Sequence, residues 1–222
     1  MIKLVMYDLD GTLFDTASEI ATAVNLMLAE YGAEAVDEWR VRAWIGHGAV
    51  KLIEEAWRTM NPGTKLDEVM ASFTRHYHDT VGKSSKPYPY VMETLRQVKA
   101  LGIKQAVITN KESTFTQRVL EMHGLGDFFD LVISGDTLVV RKPNPAVIQH
   151  CLNVLKQTAD KSIFVGDSDI DVATAKAAGV ECWAVPYGYN SGRDIQQAGA
   201  DRLIDDMRAI LNYVQDCTEC EG

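Results

Sequence analysis

The 222-residue chain is 46% hydrophobic and 24% charged, enough apolar material for one full hydrophobic core or for one core with a smaller companion. Its formal net charge of -9 works against binding nucleic acid or an anionic membrane surface, so any phosphate it binds must be met by a few local cations or a metal. Asp8 and Asp10 interrupt the first apolar run before a signal-peptide core forms, and no later stretch has the length to cross a bilayer, so a cytoplasmic location is expected.

The first strand is expected at residues 3–7, an apolar run suited to a buried parallel strand. From 16 to 86 no convincing strand follows. The segments "ASEIATAVNLMLAEYG", "GAVKLIEEAWRTM" and "LDEVMASFTRHYHDTV" have helical patterning and are joined by turns such as "NPGT". Strand and helix then alternate. Strands are expected at 104–108, 131–134, 162–165 and 181–185, with a weaker one at 202–204. The helices between them include "YVMETLRQVKALG", closed by Gly102, "TFTQRVLEMHG", closed by Gly124, and "PAVIQHCLNVLKQ", with Asn144 as N-cap and Pro145 at the first helical position. This order predicts an α/β fold: a Rossmann-like doubly wound parallel sheet formed by residues 1–15 and 87–222, with a helical domain, 16–86, inserted after the first strand.

In such a sheet ligands gather at the carboxyl ends of the strands, so the residues just after each strand are considered together. After the first strand come Asp8, Asp10, Gly11 and Thr12. Residues two apart in an extended segment point to one side, so both carboxylates can face a cavity while Leu9 turns into the core. Gly11 lets the backbone turn sharply and bring N–H groups close to an anion. An acidic turn or helix cap is the plain alternative, and Asp15 or Thr16 is a candidate cap. Asp167 and Asp171, after "SIFVG", add a second acidic group that would meet Asp8 across the strand ends. Converging carboxylates repel and take up protons unless a hard cation holds them ionised, and Mg2+ suits a few carboxylates beside a substrate phosphate. An EF-hand loop counted from Asp167 fails, because Val172 and Ala178 stand where Gly and Glu are required. Thr109 and Asn110 follow the second strand, and Lys142 precedes a helix. A hydroxyl, backbone N–H groups and an ammonium at one place complete a phosphate site.

"DLDGTLFDT", Thr109-Asn110, Lys142-Pro143 and "GDSDIDVATAKAAG" resemble, in order and spacing, the four motifs of the haloacid dehalogenase superfamily of aspartate-nucleophile phosphatases. The resemblance spans essentially the whole chain, and the helical insert resembles the superfamily's α-helical cap. It implies that Asp8 is the nucleophile and Asp10 the general acid and base, with Lys142 as catalytic cation. Mg2+ would be held by the Asp8 carboxylate, the Asp10 backbone carbonyl and Asp167, with Asp171 supporting the metal or its waters from behind. Asp169 falls at a variable position of the pattern. An aspartate at position 10 favours phosphate esters, since dehalogenase and phosphonatase relatives lack it.

Residues 41–56, "VRAWIGHGAVKLIEEA", resemble the cap segment of phosphoglycolate phosphatases, and "YGYN" at 187–190 resembles the same group. A small phosphorylated metabolite, 2-phosphoglycolate, is therefore the expected substrate. Alternatives are a sugar phosphate or nucleotide, a phosphomutase, or a phospho-aspartate signalling module. Gly46, His47 and Gly48 form a loop that can approach a small ligand, or simply a helix-helix turn with an exposed histidine. Lys51 is either a partner for the glycolate carboxylate or a solvated helix lysine. His76 and His78 lie two apart and make a poor metal pair, while His123 and His150 are expected at the surface or boundary. Trp39, Trp44, Trp57 and Trp183 are expected to pack. Cys151, Cys182, Cys217 and Cys220 are all expected as reduced thiols, and Cys217 and Cys220 form a lone C-x-x-C, half of a zinc site without the context of a redox motif.

Overall fold

A computed structural model describes residues 1–58 and 65–219, the side chains of 216–219 excepted. The "NPGT" turn, the Cys217 side chain and Cys220 lie outside the described residues. Strand β1 (Leu4–Tyr7) is followed by a short β2 (Phe14–Asp15) and four helices: α1 (Ala17–Glu30), α2 (Glu38–Trp44), α3 (Ala49–Trp57) and α4 (Leu66–Thr80). The chain returns through β3 (Lys86–Pro87), which pairs antiparallel with β2, so the helical segment leaves and rejoins through adjacent strands. It continues as α5 (Val91–Ala100), β4 (Lys104–Ile108), α6 (Ser113–Met122), β5 (Leu131–Ile133), α7 (Ala146–Leu155), β6 (Ser162–Gly166), α8 (Asp169–Ala178), β7 (Glu181–Ala184), β8 (Arg202–Leu203) and α9 (Arg208–Glu219).

The main sheet is parallel in the order β5-β4-β1-β6-β7-β8. Its order reverses at β1, so a crevice opens at the carboxyl ends of β1 and its neighbours. Side chains alternate across the sheet as a two-residue period requires. Leu4, Met6, Ala106, Ile108 and Phe164 enter one apolar cluster, and Val5, Tyr7, Val107, Ile163 and Val165 enter the other. The second cluster continues into the helical insert through Phe14, Ile20, Leu52, Phe73 and Tyr77, giving insert and sheet one shared apolar seam.

All six expected strands are present to within a residue or two. Asn144 Oδ1 accepts from Ala146 N–H at 3.0 Å, and Pro145 has helical dihedrals, the start expected for α7. Three features differ from expectation. The β2–β3 pair is too short to carry an apolar period. Segment α2 is a separate helix, ending where Gly46 and Gly48 take φ of +118° and +88°. Trp39 is 68% exposed, so it does not pack, unlike Trp183, which is buried.

Candidate active site

Asp8 is the first residue past β1 and Asp167 the first past β6, and the two strands are neighbours in register. Asp8 N–H donates to Val165 O at 2.9 Å, which extends the ladder one step and fixes the carboxylate at the crevice. After it the chain folds tightly: Leu9 O accepts from the N–H groups of Leu13 and Phe14, both at 3.0 Å, and Leu9 itself is buried. Asp8 and Asp10 therefore share one side, and both line a cavity of about 50 Å³ with Thr109, Asn110, Gly46 and Gly48.

Asp8, Asp167 and Asp171 are buried, and each offers an oxygen within 4.8 Å of the others. Lys142 Nζ lies 2.8 Å from Asp8 Oδ1 and 2.7 Å from Asp171 Oδ1. Asp8 Oδ1 is buried, with the Lys142 ammonium as its charged neighbour. Asp171 is fully engaged. Its Oδ2 accepts from the N–H groups of Asp167 and Ser168 and from the Ser168 hydroxyl at 2.6 Å, closing a capping box at the start of α8. Asp167 is oriented by Thr12, whose hydroxyl donates to Oδ1 at 3.0 Å, and by Tyr189 N–H, which donates to Oδ2 at 2.6 Å.

Burial pushes the Asp8 carboxyl up to about 7, with Lys142 opposing and Asp171 reinforcing the shift. Burial, then Asp171 and Asp8, raises Asp167 well above the usual carboxylate range. Burial works against the Lys142 ammonium, but Asp171 and Asp8 outweigh it, and its pKa rises. Three buried carboxylates thus face one lysine, an excess of negative charge that a hard divalent cation would neutralise. The space around them fits this. A Cβ at Gly11 or Gly188 would lie 2.3 or 2.2 Å from Asp167 atoms, and one at Gly166 would lie 2.3 Å from Asp171, so all three positions leave room only for carboxylates.

The remaining expected residues are placed as follows. Thr12 spends its hydroxyl on Asp167 rather than facing the cavity. Thr109 Oγ1 accepts from Lys111 N–H at 3.2 Å, which leaves its own proton free to donate. The Asn110 amide bridges Gly46 O and Lys142 O, both at 3.0 Å, and ties the α2–α3 turn to the lysine loop. His47 is exposed and is not among the cavity-lining residues. Lys51 is partly exposed beside Glu54 and Glu55, the solvated alternative. Asp169 pairs with Arg193 at the surface. Cys151 and Cys182 are buried free thiols.

Two residues were not singled out from sequence. Lys111 donates to both oxygens of Asp10, at 2.8 and 3.1 Å, and is buried. It is two residues past Thr109 at a strand end, the same spacing that linked Asp8 to Asp10. Tyr189, inside "YGYN", accepts from Thr16 and Ala17 N–H at 2.8 and 3.0 Å and donates to Asp15 at 2.8 Å. It caps α1 from the opposite end of the chain.

A Rossmann-ordered sheet with buried acids and a lysine at its switch point defines a carboxylate site in an α/β protein, suited to a divalent cation and an anionic ligand. The chain belongs to the haloacid dehalogenase-like hydrolase family, whose profile matches residues 5–185. It is 41% identical to a phosphoglycolate phosphatase of Pseudomonas syringae pv. tomato over 214 residues, covering 94% of this chain and 78% of that protein. It is 36% identical to one of Nitrosospira multiformis, covering 96% of both. The crystal structure of a predicted phosphoglycolate phosphatase from Haemophilus somnus superposes with a TM-score of 0.91 at 31% identity, covering 96% of this chain and 98% of the other. Among the described residues no helix is long and apolar enough to cross a membrane.

Proposed function

We propose that this chain is a Mg2+-dependent phosphomonoester hydrolase that converts 2-phosphoglycolate to glycolate and phosphate in the cytoplasm. The observation that carries the chemistry is Asp8, buried at the switch point with its Oδ1 2.8 Å from the Lys142 ammonium. The name shared by the relatives supports the substrate. Residues 16–86 act as a cap over a core formed by 1–15 and 87–222.

Asp8 attacks phosphorus in line, forming a phospho-aspartate as the ester oxygen departs with a proton from Asp10. Asp10 then removes a proton from the water that hydrolyses the acyl phosphate. Lys142 offsets charge on the phosphoryl oxygens, and Thr109 donates to one of them. The Asp8 and Asp167 carboxylates with the Asp10 carbonyl would hold Mg2+, and Asp171 sets Lys142 and the Asp167 loop in position. When bound, Mg2+ supplies positive charge against the carboxylates and the transferring phosphoryl group. Gly46, Gly48 and the apolar side chains of Ile20, Leu52 and Phe73 stand beside Asp8 and Asp10, so movement of residues 16–86 accompanies substrate entry.

Phosphate release across a panel of small phosphoesters tests this assignment. Phosphoglycolate is expected to give the highest kcat/KM, and Asp8→Asn to lower turnover by about 10^4-fold or more. Full activity in Asp8→Asn would overturn the chemistry, whereas a flat panel would remove only the substrate.

A further inference from the structure

Two lysines flank the acidic pair, and the reaction above gives a task to only one. Lys142 is held between Asp8 and Asp171 on the phosphoryl side and does not line the cavity. Lys111 does line it. Its side chain is 4% exposed, its ammonium contacts both Asp10 oxygens, and it lies 5.0 Å from the centre of the Tyr77 ring. Among the described residues it is the only lysine or arginine lining that space, whose walls on the insert side are apolar, with Ile20, Leu52 and Phe73.

An ammonium has three donors, and two of these are used on Asp10, which leaves one for a further acceptor. This argument rests on the phosphoglycolate reading. There Asp10 touches the ester oxygen, and the glycolate carboxylate is joined to that oxygen through a single methylene. A cation in contact with Asp10 is thus within reach of that carboxylate. We propose that Lys111 is the specificity-determining residue for the leaving group, bridging Asp10 and the substrate carboxylate. A neutral leaving group leaves that donor unpaired in a buried site, which is how a polar pocket rejects an analogue lacking the partner. Lys51, partly exposed and paired with Glu54 and Glu55, does not compete for the role.

The test compares kcat/KM for 2-phosphoglycolate and for 2-hydroxyethyl phosphate, in which CH2OH replaces the carboxylate. Wild-type enzyme is expected to prefer the acid. Lys111→Met lowers both activities because Asp10 loses its partner, but lowers that on phosphoglycolate roughly 10- to 100-fold more, the scale of one hydrogen bond to a charged group. Lys111→Arg retains the preference. Lys111→Gln, which keeps a donor for Asp10, replaces Lys111→Met if the latter does not fold. An unchanged substrate ratio in the uncharged variants, with the wild-type preference intact, overturns the role of Lys111 while leaving the phosphoglycolate reading standing. No preference in the wild type removes that reading and this proposal together.

Discussion

In the proposed mechanism Asp8 carries opposed demands: it must be ionised to attack phosphorus, yet burial pushes its carboxyl up to about 7. The unfolded chain loses this proton near the ordinary aspartate value of 3.8, whereas the folded metal-free chain keeps it to about 7. Between these values the folded state binds more protons than the unfolded state, so the group's contribution to stability falls as pH rises. Asp8→Asn cannot ionise and escapes this loss. Its Tm, measured without metal, is expected to rise relative to wild type as pH increases from about 4 to about 7. Mg2+ acts in the opposite direction on the wild type, since it favours the ionised carboxylates. At about 100 times its Kd it adds about 2.7 kcal/mol of stability, read as an upward shift in Tm. A gap between variant and wild type that closes with rising pH contradicts the proton balance described here.

Elements rather than single groups position the acids. The segment between β7 and β8 brings Gly188 against Asp167 and Tyr189 against the start of α1. Gly188→Ala would place a Cβ 2.3 Å from Asp167 Oδ2, turning that carboxylate away from Asp8. The Mg2+ concentration for half-maximal activity is expected to rise about tenfold or more, as when a supporting partner of a metal ligand is lost. A variant with an unchanged Mg2+ requirement rules out that supporting role. Tyr189→Phe removes the hydroxyl that accepts from Thr16 and Ala17, two of the N–H groups that a helix start leaves without intrahelical partners. Urea denaturation is expected to show a loss of about 1–3 kcal/mol. Arg42 reinforces the junction by stacking 5.3 Å from the Tyr189 ring and pairing with Asp15 at 2.8 Å.

For the molecule as a whole, the helical insert and one sheet face share an apolar cluster, and the cavity lies where that seam meets the strand ends. Gly48 makes the approach close: a Cβ there would stand 3.0 Å from Arg141 Nη1 and 3.4 Å from Asn110 O. Ile20, Leu52, Phe73 and Phe115 crowd the space beside Asp10 where the leaving group would lie. p-Nitrophenyl phosphate, despite its better leaving group, is therefore expected to have a kcat/KM about 100-fold or more below that of phosphoglycolate, the penalty for a site that closes around a small substrate. Comparable values for the two esters would mean that the cap does not enclose the reacting complex.

The parallel strands and the grouping of Asp8, Asp10, Asp167 and Lys142 were legible in the chain itself. Buried strands demand uninterrupted apolar runs, and residues that follow them must gather at one edge of the sheet. The pairing of Lys111 with Asp10 was not legible, because a lysine after a strand looks the same in sequence whether water or a carboxylate receives it. Nor was the capping of α1 by Tyr189, a contact across more than 170 positions that no local pattern records. His47 and Trp39 show the same limit from the other side, since exposure depends on what packs against a helix and not on its composition. Sequence determined which chemical groups were present and at which strand ends they emerge. Only tertiary packing decided which of them face one another, because burial and charge pairing are properties of neighbours brought together by the fold.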